Sequence, residues 1–184
     1  HLAIVDLDTC NLREYCYWRI EDVEPVAGDG VALVAAELDN IGKLIVRADV
    51  PIGVALSGGF DSSLTAALAV RHSSKPVRAY SVGYEGVPGQ DERQLAAKFA
   101  SDLGLPFQSI EVSRSEMVRD FPKVAFLRDD PIADIAGHGY FALSERAGSD
   151  GCPVLLQGHG VDELLWGYPW AIEAARQTRR KRAG

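Results

Sequence analysis

The sequence is poor in the residues that build disulfides and metal sites. It has 3 cysteines, at Cys10, Cys16 and Cys152, and none of them forms a CxxC pair. An odd, scattered set of this kind argues against a disulfide scaffold and a thiolate zinc site. The 4 histidines, His1, His72, His138 and His159, show no ligand spacing, so metal binding by imidazole is not expected. No apolar run approaches the ~20 residues that cross a bilayer, and no signal peptide is visible at the start. Both absences predict a cytoplasmic protein with no membrane partner. Positive charge is also short. The net charge of −7 disfavours a nucleic-acid surface. The basic residues that are present crowd the end of the chain at Arg176, Arg179, Arg180, Lys181 and Arg182, where a solvated helix face or a frayed end is expected. Repeats and low-complexity segments are missing as well.

What remains is ordinary globular material, 47% hydrophobic and 24% charged over 184 residues. That length suits one well-cored domain and hardly two. The organising stretch is Ile52-Gly53-Val54-Ala55-Leu56-Ser57-Gly58-Gly59-Phe60-Asp61-Ser62-Ser63. A short apolar run breaks at Ser-Gly-Gly and passes through an aspartate into a small-residue helical pattern. This predicts a buried strand, a tight loop and a helix N-terminus. Paired glycines let a backbone approach a bound group, and the amides of such a loop and helix start suit an anion. Ser57, Ser62 and Ser63 add hydroxyl donors, and Asp61 adds a carboxylate able to hold Mg²⁺ on a phosphate. The alternative is a glycine-rich turn with an ordinary helix cap.

Taken in order, Leu2 to Val5 predicts a strand, Asp6 to Leu12 a turn, and Tyr15 to Ile20 a second strand. Residues 21–30 read as a linker with Asp29 capping the next helix. Over 31–48, Val34, Leu38, Ile41 and Ile45 share one helical face. Further strands are expected at 77–83, 107–112 and 153–157. A helix from Asp91-Glu92 to Asp102 places two carboxylates in its first turn. Ser113 and Glu116 have capping-box spacing at the head of a helix through Leu127 that carries Pro122. Asp134 to Ala147 reads as a helix weakened by Gly137 and Gly139. The alternation predicts an α/β fold with an open, mainly parallel sheet and helices on both faces. Ligands of such sheets sit beyond the strand carboxyl ends where strand order reverses. Two strands run into glycine-rich loops carrying an aspartate, at Asp61 and Asp162. If those strands are neighbours, both carboxylates face one crevice.

The first loop lacks the Gly-Lys-Ser/Thr of a Walker loop, and Gly158-x-Gly160-x-x-Glu163 is not a dinucleotide fingerprint. SGGxDS instead resembles the pyrophosphate loop of the N-type (PP-loop) ATP pyrophosphatases, whose fold is adenine nucleotide alpha-hydrolase-like. VPIGVALSGGFDSS, AYSVGYEG, Asp91-Glu92, DDPIAD and VLLQGHGVDELLWGYPW resemble, in order, the landmarks of the glutamine-dependent asparagine synthetase family. The likeness covers residues from about Asp49 to Trp170. It implies an adenylating ligase using ATP and Mg²⁺, with aspartate as the default acid and glutamine or ammonia as nitrogen source. It implies that Ser57, Gly58, Gly59, Asp61 and Ser62 cradle pyrophosphate and that Asp61 and Asp162 hold the metal. Leu56 or Ala55, Val82 and Gly158 would then line the adenosine pocket. Residues 1–20 would be the tail of a glutaminase-like domain, 21–30 its linker, and 31–184 an incomplete synthetase domain. The glutaminase itself would lie elsewhere in the full-length chain or on a partner, and a homodimer is compatible with this organisation.

The resemblance departs at one place. Where asparagine synthetases commonly have Ser-Gly-Glu-Gly, this chain has Gln157-Gly158-His159-Gly160. The resemblance implies that the glutamate assists proton transfer as the amine attacks, so His159 is a candidate base there, against a bystander role. Competing readings are the same chemistry on another acid (β-lactam-synthetase-like or lasso-peptide-cyclase-like), an inactive nucleotide-binding module, and a tRNA-modifying pyrophosphatase. The last is disfavoured by acidity and by the VLLQGHGVDELLWGYPW motif.

Overall fold

The computed structural model describes residues 1–86, 91–128, 136–165 and 167–183, and the chain divides into two units, His1–Ala36 and Glu37–Gly184. The DDPIAD motif, the start of the Asp134 helix, the second half of the 84–90 loop and Trp166 lie outside the described residues. In the first unit, β1 (Leu2–Val5) pairs antiparallel with β2 (Leu12–Tyr15). The second strand therefore starts earlier than the expected Tyr15–Ile20, and the reason lies in the turn. The Asp6 carboxylate accepts from Thr9 N (2.8 Å) and Asp8 N (3.1 Å), Asp6 N donates to Asn11 O (3.0 Å), and Cys10 takes a left-handed φ of 55°. The chain has reversed by Leu12 and pairs at once. Every residue of this unit is exposed, including Tyr17 and Trp18.

Helix α1 (Gly30–Ile45) starts as expected, with Asp29 Oδ1 accepting from Val31 N at 3.0 Å. Its predicted apolar face is only partly covered. Val34 and Ile41 are exposed, and the one buried residue of the helix is Gly42. A Cβ there would meet His72 Cδ2 at 2.7 Å, so the helix seats on Leu68 and His72 through its glycine. Beside it, Asp39 pairs with Lys43 (2.7 Å), His72 (2.9 Å) and Arg71 (3.2 Å).

The second unit holds four parallel strands: β3 (Ile52–Ala55), β4 (Val77–Tyr84), β5 (Phe107–Val112) and β6 (Val154–Leu156), in the order β5-β4-β3-β6. The helices between them are α2 (Phe60–His72), α3 (Arg93–Asp102), α4 (Arg114–Arg128) and α5 (Ala136–Ser149). Alternation along β4 splits the core. Val77 and Ala79 pack with Val54, Ala66, Ala69, Ala96 and Ala100 against α2 and α3. Tyr80 and Val82 pack on the opposite face with Leu143, Ala147 and Cys152 of the α5 side. The sheet is thus a middle layer with helices on both faces. The chain steps outward from β3 to β5 and then returns to add β6 on the other side of β3. Strand order therefore reverses between β3 and β6.

Two local expectations change. Asp91 and Glu92 precede α3 and do not occupy its first turn; Asp91 grips Arg93 instead. Gly137 and Gly139 are buried in a well-formed helix, and a Cβ on Gly139 would meet the Tyr84 hydroxyl at 2.6 Å. The Ser113–Glu116 capping box forms in both directions, at 2.8 and 3.2 Å, and α4 continues through Pro122. After β6 come α6 (Val161–Leu165) and α7 (Pro169–Ala183), which carries the basic residues on an exposed surface. Among the described residues no helix is long and apolar enough to cross a membrane.

Candidate functional site

The loop after β3 is braced from within. Ser57 N donates to Ser62 Oγ (3.1 Å), the two serine hydroxyls lie 3.0 Å apart, and Ser62 Oγ donates to Gly59 O (3.2 Å). Gly59 N donates to Ser57 Oγ at 3.2 Å. The Ser62 hydroxyl is buried and spends its proton inside the loop, so its part is to shape the turn. Gly58 has φ +83°, a left-handed conformation that a side chain resists, and a Cβ there would meet Leu95 Cβ at 3.0 Å. The loop is thereby pressed onto the start of α3. Gly59 caps α2 without any side-chain hydrogen bond. The amides of the first helical turn are left for a ligand or water, the condition that favours an anion at a helix start.

The loop after β6 meets the first one directly. Val54 is level with Leu156 in the parallel register, and continuing it sets Gly158 beside Leu56. A Cβ on Gly158 would lie 2.5 Å from Asp61 C, 2.6 Å from Ser62 N and 2.7 Å from Asp61 O. Backbone thus packs on backbone across the switch point. Leu56, Ser57, Ser62, Val82, Gly158 and His159 converge on one cavity of about 230 Å³, joined by Ala55, Tyr80, Ser81, Tyr140, Leu143 and Gln157. A second groove of about 540 Å³ shares Ser57, Ser81 and Val82 with it and is edged by Glu85, Asp91 and Glu92. A further cavity of about 370 Å³ between β5, α4 and α5 contains none of the expected site residues.

Asp61 opens α2 and Asp162 opens α6. Tyr168 donates to Glu163 Oε1 at 2.6 Å, and its pKa is pushed up to about 12, first by that bond and burial, then by the charges of Glu163, Asp162 and Asp61. The same bond holds the Glu163 carboxyl below its ordinary value. Asp162, Glu163 and Tyr168 line a separate groove of about 980 Å³, and neither aspartate lines the 230 Å³ cavity. The two carboxylates suit Mg²⁺, which uses one or two of them and completes its shell with phosphate oxygens and water. Among the described residues no cluster of three or more potential protein ligands exists.

One brace was not read from the sequence. Arg93 reaches Asp91 through Nη2 (2.6 Å) and Nε (2.8 Å), Glu111 through Nη2 (2.9 Å) and Ile110 O through Nη1 (3.3 Å). It crosses over Gly83 and ties the start of α3 to the ends of β4 and β5. The Arg93 guanidinium lowers the Asp91 carboxyl to about 2. Since this folded value is depressed, the pair's stabilisation is present above the ordinary carboxyl value of about 3.9 and is lost as pH falls through about 2. Asp91→Asn is expected to flatten the acid side of a thermal-stability curve between about pH 4 and about pH 2. An unchanged curve would remove the brace from the account. Tyr140, Gln157 and Tyr168 were also missed. Gln157 and Tyr168 fall inside the VLLQGHGVDELLWGYPW motif, and Tyr140, in the helix ahead of it, carries no motif signal.

The family model described as asparagine synthase matches residues 33–183. A putative glutamine-hydrolyzing asparagine synthetase of Mycobacterium tuberculosis (strain H37Rv) is 35% identical over 135 residues, 73% of this chain and 20% of that protein. The glutamine-hydrolyzing asparagine synthetase 1 of Bacillus subtilis (strain 168) is 36% identical over 123 residues, 67% of this chain and 19% of that protein. The chain thus spans about a fifth of the length of these relatives. In fold it resembles the glutamine-dependent NAD+ synthetase of Acinetobacter baumannii, solved with ADP, at a TM-score of 0.53 and 24% identity over 90% of this chain and 31% of that one.

Proposed function

Because this chain belongs to the asparagine synthase family, we propose that it performs the ATP-dependent half of amide-bond formation, activating a carboxylate as its adenylate. The default acid is aspartate, giving asparagine with nitrogen from glutamine or ammonia. The observation that carries this reading is the close approach of Gly158 to the Asp61–Ser62 backbone, which supports a shared role for the two loops that carry the aspartates. In the first step a carboxylate oxygen attacks the α-phosphorus of ATP and the α–β bridging bond breaks, releasing pyrophosphate. The loop at Ser57–Gly59 and the uncapped start of α2 receive the charge that gathers on the leaving group. Leu56, Val82 and Gly158 border the cavity for the adenosine. Asp61 and Asp162 would hold Mg²⁺, which when bound neutralises phosphate charge. In the second step an amine displaces AMP from the acyl carbon, with His159 as base. Residues 1–20 would be the tail of a glutaminase-like domain and 21–30 its linker. Full exposure of the Leu2–Val5 and Leu12–Tyr15 hairpin, with Tyr17 and Trp18, supports a covering partner there. The protein would be cytoplasmic.

Carboxylate-dependent ATP–pyrophosphate exchange in the full-length protein tests this. Exchange stimulated by aspartate is the expected result. Exchange only with another acid favours a second reading, the same adenylation on a different substrate, which His159 in place of the family's glutamate supports. ATP binding without exchange for any acid overturns both and leaves a nucleotide-binding module. His159→Ala is expected to slow amide formation by about 10²-fold while exchange continues. Amide formation at full rate removes His159 from the mechanism.

A further inference from the structure

Two departures from the family's Ser-Gly-Glu-Gly fall in this chain, a glutamine at 157 and a histidine at 159, and their side chains touch. His159 Nε2 lies 2.9 Å from Gln157 Oε1. We propose that Gln157 is a positioning residue for the amide-forming step, holding the neutral His159 ring by its Nε2–H so that Nδ1 is the base. The inference rests on the role given above to His159.

An amide oxygen can only accept, so across this contact the ring donates from Nε2, and whenever the ring is uncharged the lone pair is on Nδ1. No hydrogen bond engages Nδ1 among the described residues. Gln157 is well placed to orient the ring. It follows β6 directly and is half-buried, so the sheet sets its backbone. Tyr140 meets the ring edge-on from α5, with centroids 5.8 Å apart and planes at 66°, limiting its rotation. Gln157, His159 and Tyr140 line the same cavity as Ser57 and Val82. Tyr140 touches the ring, Glu163 is lowered mainly by its Tyr168 bond and slightly by His159, and Asp61 and Asp162 stand at the starts of the two helices whose loops meet at Gly158.

The chemistry explains why the two departures belong together. A glutamate base accepts a proton on either oxygen and needs no tautomer. An imidazole has one basic nitrogen, and the wrong ring orientation presents N–H instead of a lone pair. In the proposed step the amine nitrogen attacks the acyl carbon and the C–N bond forms. The bond from that carbon to the AMP oxygen breaks, its electron pair leaving with AMP. The proton released by the amine goes to Nδ1, and the resulting imidazolium returns it to water.

The test is the pH profile of single-turnover amide formation from acyl-adenylate in the full-length protein, comparing Gln157→Leu with Gln157→Glu. The leucine variant, lacking an acceptor, is expected to fall about 10-fold on the plateau. The glutamate variant restores the plateau but moves the acid limb up by about one pH unit, because a carboxylate at Nε2 favours the imidazolium. An acid limb that stays in place overturns the proposal, as does a leucine variant at the wild-type rate. If the leucine variant does not fold, the limb of the glutamate variant decides alone. A slow His159→Ala with unaffected Gln157 variants sinks only the positioning role. A His159→Ala at full rate sinks the base itself.

Discussion

Replacing Asp61 or Asp162 by alanine is expected to lower carboxylate-dependent ATP–pyrophosphate exchange by at least about 10³-fold, equivalent to about 4 kcal/mol of transition-state stabilisation. The two carboxylates stand at the starts of α2 and α6, on two loops that meet where Gly158 packs on the Asp61–Ser62 backbone. Mg²⁺ keeps few protein ligands, and losing one of two removes much of its attachment. The pair acts as a unit, so the double variant should be little worse than either single one. Cavity residues Leu56 and Val82 are untouched, so nucleotide binding should survive the loss of exchange. Asn in place of each Asp separates charge from shape. Exchange retained in either alanine variant would exclude the metal role proposed for that residue.

The second large effect is expected from a single methyl group. In Gly158→Ala the new Cβ falls 2.5 Å from Asp61 C and 2.6 Å from Ser62 N, both main-chain atoms of a loop braced by Ser57 and Ser62. Nothing flexible lies in its way to yield, so the two loops must part. Overpacking of this kind costs about 1–3 kcal/mol of stability. Displacing reacting groups by about 1 Å costs about 10²-fold in rate, the loss expected in exchange. Thermal unfolding and exchange on the same preparation check both. Wild-type exchange in the alanine variant would show that contact between the loops is not needed.

These predictions draw differently on sequence and structure. The four core strands were legible because each carries apolar residues, in a short run at β3 and β6 and interleaved with polar ones along β4 and β5, between glycine, proline or polar turns. Phe107–Val112 is observed as expected, while Val77–Tyr84 and Val154–Leu156 differ from expectation by a residue or two. Caps were legible for the same local reason, since Asp29 and the Ser113–Glu116 pair satisfy amides within three residues of themselves. Where partners are distant, local rules misled. Asp91 and Glu92 looked like helix-dipole residues, yet Asp91 is claimed by Arg93, whose other partner Glu111 comes from β5. The stripe on α1 had the right period, but Gly42 offered Leu68 and His72 a closer approach than the stripe did.

By itself the sequence determined the α/β alternation, the family, and the strand–loop–helix at Ser57–Ser63, because periodicity, turn residues and motif order are properties of neighbours along the chain. It made the crevice conditional on one fact it could not supply, that the strand before Gly158 lies beside the strand before Ser57. The tertiary structure decided that, since packing helices on both faces of the sheet sends β6 back past β3. It also decided that Gly158 rests on the Asp61 backbone and that Gln157 meets His159. Contacts of this kind depend on which surfaces the core brings together, and no local pattern encodes them.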